Sequence, residues 1–154
     1  MIYEPCILLK PEKIYADISA RIDSFCKIEG GYGVFIGKHV HIASFCHINI
    51  GGGTTIIEDE AGLASGVKVI SGQTDINYAD ISPMLEANRV HIQRKETKIC
   101  KGAIIFCNAV ISAGVTIGEG AVIGAGSVVL YDVPAWDFWA GVPAKFVSRR
   151  IILG

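Results

Sequence analysis

Four histidines, five cysteines and a basic stretch late in the chain carry most of the chemistry open to this sequence of 154 residues. Imidazole titrates near neutral pH, so His39, His41, His47 and His91 can each take a proton or, when neutral, bind a metal. The first three fall within nine residues, a spacing that invites comparison with a zinc site. Cys6, Cys26, Cys46, Cys100 and Cys107 are odd in number and include no Cys-x-x-Cys pair, so they are expected to be thiols rather than a metal or redox motif. Lys145, Arg149 and Arg150 form a local concentration of positive charge in a chain whose 14 basic and 15 acidic residues nearly cancel. That cluster suits the phosphates of a small ligand. The near-zero balance argues against nucleic acid or an anionic membrane as a partner.

What positions these groups is a period of six. From Ile99 an aliphatic residue returns at Ile105, Ile111, Ile117, Ile123 and Val129, and small or β-branched residues follow four positions on, at Ala103, Ala109, Val115, Ala121 and Ser127. The same template fits Ile36, Ile42 and Ile48, then Ile57, Leu63 and Val69, and more faintly Ala16, Ile22 and Ile28. A helical period of 3.6 fits none of these runs. Each unit reads as a short strand and a corner, and three units close a three-sided coil that buries its inner face only by stacking on the next. This reconciles 51% hydrophobic residues with 18 glycines. Five coils are expected, starting at Ala16, Ile36, Ile57, Ile99 and Ile117. Between Ile28 and Ile36, Ile48 and Ile57, and Val69 and Ile99, two, three and twenty-four extra residues enter. All follow the third strand of a coil and must leave at one edge. The coils thus run over 16–74 and 99–134, with an excursion at 75–98 suited to reach over a neighbouring subunit and a tail at 135–154, all one domain. Cys26 and Cys46 take the same inward slot in successive coils. Their spacing permits a disulfide, but buried thiols are the expected state in a reducing compartment.

Hexapeptide spacing of this kind resembles the left-handed parallel β-helix family, and the fold expected is all-β, a left-handed parallel β-helix. Ile111-Ser-Ala-Gly-Val-Thr-Ile-Gly-Glu-Gly-Ala-Val-Ile-Gly-Ala-Gly-Ser-Val-Val129, with Asp132-Val-Pro-Ala-Trp136 and Ala140-Gly-Val-Pro-Ala-Lys-Phe146, is similar to the closing coils and tail of hexapeptide acyltransferases. The similarity is nearest to acetyl-CoA-dependent sugar acetyltransferases of the maltose, galactoside, O-antigen and nucleotide-amino-sugar kinds. It implies transfer of an acetyl group to a sugar hydroxyl or amine in surface-polysaccharide (lipopolysaccharide) or nucleotide-sugar biosynthesis. It also implies a homotrimer with sites between subunits. Exposed Phe25, Phe35, Phe45 and Phe106 on flat faces agree with association. By comparison with the family, Cys107, Ala125, Leu130 and Tyr131 flank the pantetheine arm and Lys145 meets the nucleotide. Ala113, Gly114 and Gly126 leave room for the arm, and Arg149 substitutes for a cation lost where Leu130-Tyr131 replaces the family's frequent Thr-Lys.

Acyl transfer to a hydroxyl needs a base. Maltose- and galactoside-type relatives place a histidine where the chain leaves the coil for the long arm, but Ser71-Gly-Gln-Thr-Asp-Ile-Asn77 has none, which resembles relatives that acetylate sugar amines. His47, next to inward Ile48, is expected to point outward between Lys27 and Lys68, cations that would favour neutral imidazole. It is the preferred base. Asn49 is expected to point out of the same strand toward substrate. Asp75, with Gln73 and Asn77, is placed to orient the acceptor or accept its proton. Two other readings compete. A zinc enzyme of the γ-carbonic-anhydrase kind would use the histidines, but His41 and His47 fall on different faces, so no metal is expected. A catalytically idle scaffold would account for the missing histidine. The mean hydropathy of +0.44 comes without an apolar run long enough to span a bilayer, and the first residues lack a signal peptide's pattern, so a cytoplasmic protein is expected.

Overall fold

The computed structural model describes all 154 residues and is a left-handed parallel β-helix. Three parallel sheets form the faces of a triangular prism. The first face stacks Ile14–Ala16, Gly33–Ile36, Thr54–Ile57, Glu96–Ile99 and Thr116–Ile117. The second stacks Arg21–Ile22, His41–Ile42, Gly62–Leu63, Ile104–Ile105, Val122–Ile123 and Asp137–Gly141. The third stacks Ile7–Leu9, Lys27–Glu29, His47–Ile50, Lys68–Ile70, Val110–Ile111 and Val128–Val129.

The six-residue period fixes this register. Ile22 pairs with Ile42, Ile42 with Leu63, Leu63 with Ile105 and Ile105 with Ile123, and all five are essentially without solvent exposure. Burying each such side chain contributes roughly 1.5–3 kcal/mol, so the inward column is the main source of stability. Five complete coils begin where the period places them, and a partial turn lies at each end. At the start, Ile2 bridges Ile22 and Leu8 pairs with Ile28. At the other end, Val133 bridges Ile117 and Trp139 pairs with Ile123.

Two-residue strands need sharp corners. At the edge between the second and third faces the turning residue is Phe25, Phe45, Gly66, Asn108 and Gly126 in successive coils, with φ of 67°, 65°, 79°, 61° and 68°. The extra residues all leave at the edge between the third and first faces. There Tyr32 N–H donates to Gly53 O, and Lys95 N–H donates to Ser71 O, so the interruptions stack on one another. Gly51, at φ 89°, lies where an added Cβ would strike the Gly72 backbone. The long excursion is a hairpin whose stem pairs Gly72–Thr74 antiparallel with Ile92–Arg94, and the first face resumes at Glu96. Both limits come a few residues earlier than the 75–98 expected, because the stem continues the ladder spacing out of the corner. The tail closes as an antiparallel hairpin, Asp137–Gly141 against Ala144–Arg149. Cys26 and Cys46 are buried thiols that donate to Ala43 O and Ala64 O. No helix is long and apolar enough to cross a membrane.

Candidate functional site

His47 opens a third-face strand directly after the corner formed by Phe45 and Cys46. The register sets it between Lys27 and Lys68, as the repeat implied. A partner not foreseen from the sequence joins them. His47 Nε2 lies 2.6 Å from Glu29 Oε1, and Lys27 Nζ lies 3.5 Å from the same oxygen. A carboxylate only accepts hydrogen bonds, so in the neutral imidazole this contact puts the proton on Nε2 and leaves Nδ1 its lone pair. His47 therefore sits against an anion, not only between cations, and a carboxylate so placed orients the ring. Lys68 turns aside and donates to Gly66 O.

Asn49 departs from expectation. Its side chain has no solvent exposure and its φ is 66°. Val69 pairs with Ile48 and Ile70 with Ile50, so Asn49 is the extra residue of a bulge, and the left-handed backbone swings it inward. It cannot touch a sugar. Its Nδ2 donates to Glu29 O at 2.7 Å, Gly53 O at 3.0 Å and Gly30 O at 3.3 Å.

Asp75 stands at the foot of the excursion, at the opposite edge of the third face from His47. Its Oδ1 accepts from Asn77 N–H and Nδ2, and its Oδ2 from Gln93 Nε2. The Asn77 backbone donor is the chief reason its pKa is held below the ordinary carboxylate range. Asp75 is thus a durable anion. Gln73 and Asn77 are exposed beside it. His47 and Asp75 do not meet within one chain.

The residues expected around coenzyme A divide between two edges. Cys107, Ala125 and Gly126 stack where the second face meets the third, and Gly126 N–H donates to Cys107 O. The backbone N–H groups of Ser65, Cys107 and Ala125, in three successive coils, make no hydrogen bond within the chain. An added Cβ at Gly126 would project into open space. This edge therefore offers bare backbone donors and no bulk, which fits a thin, amide-bearing arm. Ser65 was missed, although it occupies the slot of Cys107 one coil below. Next to it a groove of about 310 Å³ on the second face is lined by His41, Ser65, Ile104, Phe106 and Cys107, above Gly62. Ala113, Gly114, Leu130 and Tyr131 lie instead where the third face meets the first. Gly114 is covered by the Lys95 side chain and its N–H donates to Thr97 Oγ1, so it is a packed corner rather than a channel.

The tail cations do not cluster. Antiparallel pairing sets Ala140 opposite Lys145 and Asp137 opposite Arg149, so the two side chains lie at opposite ends of the hairpin. Arg149 lies 3.6 Å from buried Asp137, and Arg150 covers Trp136 and donates to Gly120 O. Lys145 makes no ion pair and sits by the turn that Gly141 N–H ties to Ser127 Oγ, on the edge of Ala125 and Gly126. His41 is held by Asp23 at 2.9 Å, and Arg21 holds the same carboxylate at 2.7 Å. Those hydrogen bonds, His41 first, depress the Asp23 pKa. His41 and His47 thus belong to separate carboxylate pairs, and no group of three His, Cys, Asp or Glu side chains converges on a metal position.

The family model for the bacterial transferase hexapeptide (six repeats) matches residues 96–130. A mutant of the N-acyltransferase AntD from Bacillus cereus, solved with dTDP-4-amino-4,6-dideoxyglucose and coenzyme A, is similar at 27% identity and a TM-score of 0.89, over 98% of this chain and 81% of that one. A maltose O-acetyltransferase from Clostridium difficile matches at 24% identity and a TM-score of 0.75, over 90% of this chain and 71% of that one. A hexapeptide-repeat acetyltransferase from Vibrio cholerae, solved with acetyl coenzyme A, matches at 22% and 0.65, over 97% and 69%. The last two show the fold. No curated protein sequence matches. The repeat and the fold are those of the hexapeptide acyltransferases, as the closing coils and tail implied.

Proposed function

We propose that this chain, an acyltransferase of the hexapeptide-repeat kind, moves an acetyl group from acetyl-CoA to the amine of a nucleotide-linked amino sugar. The observation that carries this is the edge between the second and third faces. It combines free N–H groups at Ser65, Cys107 and Ala125, a side-chain-free slot at Gly126 and the unpaired cation Lys145. An amide-bearing arm lies against the first two and a phosphate meets the third. His47 lies on the same edge, three coils below Gly126, or about 14 Å at the usual strand spacing.

The acceptor side rests on Asp75. A carboxylate that stays ionised holds an amine as its ammonium partner, and His91, whose carbonyl accepts from Asp75 N–H and whose ring stacks on Tyr78, adds positive charge beside it when protonated. The ammonium first gives one proton to solvent; the free amine then attacks the thioester carbonyl carbon, the C–S bond breaks as the thiolate of coenzyme A leaves, and the second proton, lost by nitrogen as the amide forms, passes to His47 Nδ1. A free N–H on the coil edge, such as that of Cys107 or of Ser65 one coil nearer His47, stabilises the oxyanion. The amino sugar in the AntD mutant complex supports an amine acceptor over a hydroxyl. Because Asp75 and His47 flank opposite edges of one face, a complete site needs two copies. A trimer supplies this, and its apolar contacts are the stacked Tyr15–Phe35 and Phe25–Phe45 pairs. The reading places the enzyme in the cytoplasm, in the synthesis of surface polysaccharide.

The test is acetyl-CoA with a panel of nucleotide-linked amino sugars and simple glycosides, following thiol release and product mass. Thiol release with an amino sugar and an amide product is expected. Release only with glycosides would move the reading to O-acetylation. Silence across the panel would remove it, and a monomer in sedimentation at micromolar concentration would remove the shared site.

A further inference from the structure

The interior of the third-face corner holds a polar network that neither packing nor acyl transfer explains by itself. Asn49 is fully buried, accepts from Thr55 Oγ1 at 2.8 Å and donates to three carbonyls, one of them that of Glu29. The bulge explains its reach. Lys27 pairs with His47 and Ile28 with Ile48, but the ladder stops there, because the residue that would stand over Glu29 has turned inward. Nothing then projects above the Glu29 side chain from the strand above. It leans back along that strand to His47, its diagonal neighbour, at 2.6 Å.

We propose that Asn49 and Glu29 are positioning residues that hold His47 in its Nε2–H tautomer with Nδ1 free. Asn49 fixes the Glu29 backbone from inside, and Glu29 fixes the ring from outside. This deepens the function proposed above and rests on its choice of His47 as the base. The groups facing His47 are Glu29 and Lys27 from the coil below and Lys68 from the coil above, and only Glu29 bonds to it. Neutral Gln at position 29 can donate to Nε2 as readily as accept from it, so it no longer specifies the tautomer. Gly at position 49 keeps the left-handed backbone and removes every side-chain hydrogen bond of the network.

The experiment uses the whole protein with 15N-labelled histidine, alongside steady-state kinetics. Wild type is expected to show His47 as one Nε2–H tautomer. Glu29→Gln and Asn49→Gly are expected to show a mixture or the other form, with kcat down about tenfold or more and KM for acetyl-CoA unchanged. If Asn49→Gly does not fold, Thr55→Val removes one hydrogen bond from the same network and is read in its place. A single unchanged tautomer in these variants overturns the proposal. A His47→Ala variant at full rate would remove His47 as base while leaving the tautomer signal to decide the positioning, so the two failures are told apart.

Discussion

The coils from Ile14 to Ile70 and those from Glu96 to Val129 share one core and one set of corners but use them differently. In the slot between the second and third faces every coil has φ between 61° and 79°. The closing coils fill it with Asn108 and Gly126, which adopt that conformation readily. The third coil fills it with Gly66, and the first two fill it with Phe25 and Phe45, at a cost of roughly 1–2 kcal/mol each. The two rings stack at 5.4 Å, which offsets roughly 0.5–1.5 kcal/mol of it. The backbone dictates the bend and leaves the side chain open. The first two coils present aromatic surface there, and the last presents bare backbone at Gly126. The same contrast holds at the other edge, where all the interruptions of the period fall before Glu96.

Because the core is common to both regions, Ile28→Ala and Ile105→Ala are expected to cost alike, about 2–5 kcal/mol each in denaturant unfolding. A large inequality would break the uniform ladder. Exchanging the corners comes next. Gly126→Phe is expected to weaken coenzyme A binding at least tenfold by calorimetry, whereas Phe45→Gly should leave binding unchanged and shift stability by no more than about 1 kcal/mol. Equal effects on binding would show that the two edges are not specialised. The tail cations should separate in a smaller way. Lys145→Ala is expected to raise the coenzyme A Kd several-fold with an unchanged Tm. Arg149→Ala should leave Kd alone and lower Tm, since buried Asp137 loses its cation. The smallest effect concerns acid stability of the early coils. Asp23 is depressed by His41 and Arg21, so its contribution is present above the ordinary carboxylate value near 4 and is lost as pH falls below it. Asp23→Asn should therefore narrow the loss of Tm between pH 5 and pH 3 relative to wild type.

The fold was legible because burial acts on every sixth residue. The aliphatic column gave the five coil starts, the edge where all interruptions leave, and the stacking of Lys27, His47 and Lys68. The partial first turn was also present, in Ile2 and Leu8, six apart and twenty before Ile22 and Ile28. Ile14 follows Leu8 by six, but the next coil starts at Ala16, two residues on, so the first turn is out of phase with the column that follows. The site was less legible, for reasons that are local. Alternation of side chains predicts Asn49 outward, and only a bulge, a two-against-one count between strands twenty residues apart, turns it in. The Glu29–His47 bond is diagonal and depends on that same turn. Lys145 and Arg149 look adjacent in sequence, but an extended hairpin separates them by about 13 Å and gives Arg149 to Asp137. Free N–H groups such as that of Ser65 leave no trace in composition.

The antiparallel tail hairpin has a consequence for self-templating. A parallel solenoid ends in a row of unsatisfied donors and acceptors with the direction and spacing of its next coil, an invitation for another molecule to continue it as a fibre. Here the last second-face strand, Asp137–Gly141, is met by a strand running the opposite way, and Arg150 folds across Trp136 beside it. An incoming coil would find that rung reversed, so growth along the prism axis has no matching surface on this face.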